Sequence, residues 1–152
     1  FKILQAVEDV NESQKLRLVD KMEAHFGDLR GRSFALWGVA FKPRTDDMRE
    51  APAIAVIEGL LARGASVRAY DPEAGATAAR LFGSRITICE KSYDALAGAD
   101  ALAVVTEWNE FREPDFKRMR QLLKAPVVFD GRNLYSPEHM RALGFTYLSI
   151  GR

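Results

Sequence analysis

Apolar positions fall into short runs separated by charged stretches, and the spacing alternates between two periods. Residues 1–26 place Ile3, Val7, Val10, Leu18, Met22 and Phe26 mostly three and four apart, the mark of an amphipathic helix, with Gly27 as its C-terminal cap. The stripe is interrupted near Asn11 and Gln14. Two readings of this helix stay open: it packs on the domain that follows, or it links to an upstream domain or a second subunit. Strands are predicted over 33–40, 65–70, 85–89, 100–106, 126–129 and 146–150. Helical patterns are predicted between them over 52–63, 74–81, 93–97, 115–123 and 137–143. Pro52 opens its helix where a missing N–H does no harm, and Gly64 closes it.

Strands alternating with helices predict an α/β fold: a Rossmann-like, doubly wound parallel sheet of about six strands. The continuous apolar run Ala101-Leu102-Ala103-Val104-Val105 suits a strand buried on both faces. The commonest order for such a sheet is 3-2-1-4-5-6, with ligands bound beyond the carboxyl ends of the strands where the order reverses. The loops after strands one, four and five are then the ones to inspect. They carry Phe41-Lys42-Pro43-Arg44-Thr45-Asp46-Asp47-Met48-Arg49, Thr106-Glu107-Trp108-Asn109-Glu110-Phe111, and Asp130-Gly131-Arg132-Asn133.

These loops bring Lys42, Arg44, Arg49 and Arg132 together with Phe41, Trp108 and Phe111. Cations pair with phosphate and aromatic faces stack on bases, so the set suits a nucleotide. Each member also has a structural reading. Arg49 has Asp46, Asp47 and Glu50 within pairing reach, Arg132 suits a strand-end salt bridge, and Trp108 and Phe111 suit a lid over the sheet. Gly38 is followed by Val39, Ala40 and Phe41, so the dinucleotide fingerprint G-x-G-x-x-G is missing and ordinary NAD binding in this crevice is not expected. Asp71, before Pro72, reads as a turn or capping residue.

Composition narrows the partners. Of 152 residues, 22 are Lys or Arg and 21 Asp or Glu, a net charge of +1, so no global basic field favours nucleic acid. No apolar stretch approaches the roughly 20 residues of a membrane span. The single cysteine, Cys89, ends an apolar alternating run and reads as a buried small residue; that usage fits a cytoplasmic protein. The chain opens at Phe1 in mid-pattern, as a piece of something longer would. Neither metal-ligand spacing nor a nucleophile elbow is present. From the residues alone, the chain is an α/β domain that binds a phosphorylated ligand and lacks its own chemistry.

In their order, "GVAFKPRTDDMREAP", "VRAYDPEA", "ALAVVTEWNEFREPDF" and "VVFDGRNLY" resemble the C-terminal domain of UDP-glucose 6-dehydrogenases, within the UDP-glucose/GDP-mannose dehydrogenase family. The stretch "VNESQKLRLVDKM" resembles the end of that family's long connecting and dimerising helix. The resemblance implies residues 1–27 as the end of this helix and 28–152 as a UDP-sugar-binding domain. It implies UDP-glucose as substrate, two NAD as oxidant held mainly by an N-terminal domain of the same chain, and a homodimer. The product would be UDP-glucuronate. Domains acting on UDP-N-acetylmannosamine or GDP-mannose share the F-K-x-x-x-D-D-x-R-E skeleton and are the alternative, as is a non-catalytic nucleotide-binding module. Phe41, Lys42 and Arg132 match substrate-contacting positions, and Arg49 matches an arginine that reaches the cofactor. Asp46, Asp47 and Glu50 are expected to fix the loop, and Arg44 sits at a variable position and is set aside. No catalytic residue is expected in this chain, because the family's cysteine block is absent and Cys89 does not match it.

Overall fold

The computed structural model describes residues 16–151; the predicted helix before residue 16 lies outside them. Helix α1 is seen over residues 16–26 and ends at Gly27, whose φ of 79° admits the chain reversal there. The strands are β1 (Ser33–Trp37), β2 (Ser66–Tyr70), β3 (Thr87–Ile88), β4 (Ala101–Val104), β5 (Val127–Asp130) and β6 (Thr146–Ser149). The helices between them are α2 (Pro52–Ala62), α3 (Gly75–Phe82), α4 (Ser92–Leu96), α5 (Phe116–Leu122) and α6 (Pro137–Ala142). All five strand pairings are parallel, in the order β3-β2-β1-β4-β5-β6 expected from the βα alternation.

Period-two alternation sends side chains of each central strand into two separate cores. Phe34 and Leu36 of β1, Ala101 and Ala103 of β4, and Phe129 of β5 join Val19 and Met22 of α1 and Ile57 and Leu60 of α2. Ala35 and Trp37, Leu102 and Val104, and Val128 face the other way, onto Leu96 of α4, Met119 of α5 and Met140 of α6. The described part of α1 therefore packs on the domain, and Arg63 after α2 pairs with its Asp20 and Glu23.

Two helix starts are written locally. Asp115 accepts from Arg118 N at 3.0 Å and Ser136 from His139 N at 3.3 Å, each capping the first turn of its helix. Strand β1 stops three residues short of its expected end because Gly38, at φ 94°, turns the chain out of the sheet. Strand β3 shrinks to two residues, since the Gly83–Arg85 3-10 turn uses up the start of the predicted run. Cys89 is half-buried against the second core rather than fully enclosed.

Candidate functional site

Strands β2 and β4 flank β1, so sequence order reverses there and the loops after β1 and β4 diverge around a crevice. Gly38 lets them touch. A Cβ at this residue would lie 2.5 Å from Thr106 Cβ and 2.7 Å from Thr106 N. Beyond Gly38 the backbone leaves the ladder, and its polar groups find side chains. Val39 N and Ala40 N donate to Asp71 Oδ2 at 2.8 and 3.1 Å, while Thr106 Oγ1 donates to Ala40 O at 2.8 Å. Phe41 N donates to Asp47 O at 2.8 Å, closing the loop on itself.

Asp71 does more than its sequence setting suggests. Its Oδ1 accepts from Glu73 N at 2.9 Å and Ala74 N at 2.8 Å, the expected turn. Its Oδ2 takes Trp108 Nε1 at 3.2 Å as well as the two β1-loop amides. Trp108 is therefore a buried, hydrogen-bonded residue, and its edge also lines a cleft of about 370 Å³ with Pro43, Arg44, Glu107, Asn109, Glu110 and Arg112. Phe111 is no lid: it is fully buried and stacks on Trp37 with ring centroids 5.0 Å apart. Tyr70 reaches Glu110 through its hydroxyl, and burial first, then the Glu110 charge, pushes this phenol up to about 12.

The four ligand candidates have unlike surroundings. Phe41 is 51% exposed, a large apolar surface left in water. Lys42 is exposed and makes no hydrogen bond or ion pair among the described residues, though its charge also helps lower the Asp47 carboxyl. Arg49 is tied to Asp47: its Nη2 lies 2.9 Å from Oδ2 and its Nε 3.1 Å from Oδ1. This resolves the choice among its three acidic neighbours. Chiefly through the Arg49 hydrogen bond, the Asp47 carboxyl is lowered to about 2, and the Arg49 guanidinium is raised. Arg132 pairs through Nε with Glu107, bridging the loops after β5 and β4, and its own N–H caps Asp130 at 2.9 Å.

Of these four, Arg49 alone lines either of two clefts beside the β1 loop. Arg44, which the motif set aside, lines the cleft between the β1 and β4 loops. Arg49 lines a broader groove of about 840 Å³ on the α3 side, with Met48, Ile54, Arg80 and Leu81. The β1 loop thus presents two sides. Arg44 and Glu50 hold φ of 64° and 58°, a conformation that costs a residue with a Cβ and that marks a segment shaped by its contacts. No group of three or more His, Cys, Asp or Glu able to hold a metal occurs among the described residues, and none of their helices is long and apolar enough to cross a membrane.

This sheet order, with loops gathered over its reversal point, defines a doubly wound α/β domain of the kind dehydrogenases carry. The chain belongs to the UDP-glucose/GDP-mannose dehydrogenase family: residues 35–137 match that family's UDP binding domain. It is 48% identical to a UDP-glucose 6-dehydrogenase of Pseudomonas aeruginosa, over 99% of this chain and 34% of that protein. It is 42% identical to the UDP-glucose 6-dehydrogenase TuaD of Bacillus subtilis, over 100% of this chain and 33% of that one. Among solved structures it resembles a UDP-glucose dehydrogenase from the archaeon Pyrobaculum islandicum, with a TM-score of 0.80, 33% identity, and coverage of 95% of this chain and 31% of the other. The chain spans about a third of the length of these relatives.

Proposed function

We propose that this chain is the nucleotide-sugar-binding portion of a UDP-glucose 6-dehydrogenase, which oxidises UDP-glucose to UDP-glucuronate with two NAD. The observation that carries the reading is the 48% identity, sustained along essentially the whole chain, to an enzyme of that name. In this reading UDP lies over the β1 and β4 loops. Lys42, exposed, neutralises phosphate, and Phe41 covers the base and ribose with apolar surface. Arg132 contacts the nucleotide sugar with its other guanidinium nitrogens while Glu107 holds its Nε.

The crevice does not fit the diphosphate of a dinucleotide. It lacks the second glycine, and the amides that would meet a phosphate already serve Asp71. NAD, which would accept the hydrides, would be held by the rest of the protein, and Arg49, in the groove on the α3 side of the loop, is the residue of this chain that would reach it. The side chain of Arg49 is 89% exposed, so its remaining donors are available beyond Asp47. Residues 1–27 would be the end of the connecting and dimerising helix, 28–152 the binding domain, and the assembly a homodimer in the cytoplasm. Cys89, half-buried beside the second core, is not the nucleophile in this reading.

The test is turnover by the full-length protein. Incubation with UDP-glucose and NAD should yield UDP-glucuronate and two NADH per sugar. Oxidation of UDP-N-acetylmannosamine or GDP-mannose in its place would overturn the substrate assignment. Lys42→Ala should raise KM for the nucleotide sugar by the equivalent of about 1.5–3 kcal/mol, the cost of a charged hydrogen bond. An unchanged KM would return Lys42 to solvent.

A further inference from the structure

Asp71 is a buried carboxylate, only 7% exposed, and no Lys or Arg among the described residues pairs with it. A buried charge of this kind persists only if its oxygens are fully hydrogen-bonded. They are, by five donors drawn from three loops: Val39 N and Ala40 N after β1, Glu73 N and Ala74 N after β2, and Trp108 Nε1 after β4. Two consecutive amides converging on one anionic oxygen, at the carboxyl end of β1, is the arrangement a dinucleotide loop offers to a phosphate. Here the anion is the protein's own. The same segment is gripped from the opposite side, where Thr106 Oγ1 donates to Ala40 O at 2.8 Å. The two residues that follow are Phe41 and Lys42, and neither side chain is held by a hydrogen bond among the described residues.

We propose that Asp71 is a positioning residue that acts as a built-in anion. With Trp108 and Thr106, it fixes the Val39–Ala40 backbone and so sets the direction in which Phe41 and Lys42 meet the nucleotide sugar. The proposal rests on the substrate-binding reading above. It also explains how the crevice trades one recognition chemistry for another. The amides are withdrawn from any external phosphate, and recognition passes to the side chains immediately downstream. The charge matters as well as the shape. An asparagine at 71 offers one acceptor oxygen in place of two and turns an NH2 toward backbone N–H donors.

The experiment is steady-state kinetics of the full-length protein with UDP-glucose and NAD, with melting temperature measured in parallel. Asp71→Asn is expected to raise KM for UDP-glucose about tenfold or more, with a smaller change in kcat and none in KM for NAD, as a lost charged hydrogen-bond network at the substrate loop predicts. Asp71→Ala opens a small cavity among the freed donors. Sodium formate should restore its KM toward the wild-type value, whereas sodium chloride at equal ionic strength should not. Thr106→Val and Trp108→Phe each remove one grip and should raise KM about two- to fivefold. Adding Trp108→Phe to Asp71→Asn should change little further, because both act through one network.

A purely structural Asp71 would lower the melting temperature and leave KM within about twofold of wild type, and that result overturns the proposal. If the Asp71 variants fail to fold, unchanged KM in both Thr106→Val and Trp108→Phe overturns it instead. Wild-type protein that neither oxidises UDP-glucose nor binds UDP by calorimetry sinks the substrate reading, and the positioning role with it.

Discussion

Asp71 and Asp130 stand at the carboxyl ends of two strands of one sheet, and their local chemistry is nearly the same. Both are buried, each gathers backbone N–H groups, and each takes one donor from a buried aromatic side chain. Their reach differs. Asp130 organises its own turn, accepting from Arg132 N, Leu134 N and Tyr135 N, and adds the Tyr147 hydroxyl at 2.6 Å from neighbouring β6. Asp71 spends three of its five bonds on residues more than thirty positions away, in two other loops. The same carboxylate thus builds one turn at β5 and a junction at the crevice. What decides the role is which loops the sheet order brings within reach, and β2, β1 and β4 are adjacent.

The sharpest way to break this comparison is to remove the carboxylate at the local site. Asp130→Ala removes the acceptor shared by three backbone N–H groups and the Tyr147 hydroxyl and should cost about 3–4 kcal/mol in urea unfolding. A loss below about 1 kcal/mol would mean that water replaces the carboxylate, and the two sites would no longer be alike. Gly38→Ala tests the junction from its backbone. Its new Cβ would meet Thr106 at 2.5–2.7 Å in a residue with φ of 94°, so a cost of about 2–3 kcal/mol is expected by the same measurement. A near-neutral result would show that the β1 and β4 loops separate freely.

A smaller effect is expected from Tyr147→Phe, which removes the hydroxyl bonds to Asp130 and to Tyr135 O and should cost about 1–2 kcal/mol. The smallest concerns pH. Tyr70 borders the crevice, and its phenol lies near 12 against an ordinary value of 10.0, raised by burial and by Glu110. An unfolded tyrosine loses its proton first on that climb, so the unfolded state binds fewer protons than the folded one between pH 10 and about 12. Stability should therefore be intact below pH 10 and fall across that window, and Tyr70→Phe should flatten the fall. An identical pH slope in the variant would assign the alkaline loss to other groups.

Much of the fold was legible because its signals are local. Alternation of apolar period, Pro52 and Pro137 at helix starts, and the uninterrupted run through Val104 sufficed for six strands in the observed order. At the site, legibility tracks the distance along the chain between partners. The Asp71 turn to Glu73 and Ala74, and the pairing of Arg49 with an acidic neighbour, lie within a few residues and could be read. The grip of Asp71 on Val39 and Ala40, the Trp108 indole bond and the Arg132–Glu107 pair all join different loops, and depend on strand adjacency. Phe111 misled for the same reason. Its place in a loop suggested a lid, but β1 sets Trp37 beneath it as a stacking surface. A polar hub could still have been suspected from one signal, an aspartate followed by proline at a strand end on the side where glycines are missing.

The central position of β1 also has a consequence for synthesis. One edge of β1 is satisfied by β2, but the other pairs Phe34 with Ala101 and Trp37 with Val104. As the chain emerges from the ribosome, this largely apolar strand therefore waits with an open edge until β4 has been made. A helper protein that shields nascent apolar strands would find its main work in that interval, and slow codons placed just before residue 101 would lengthen it.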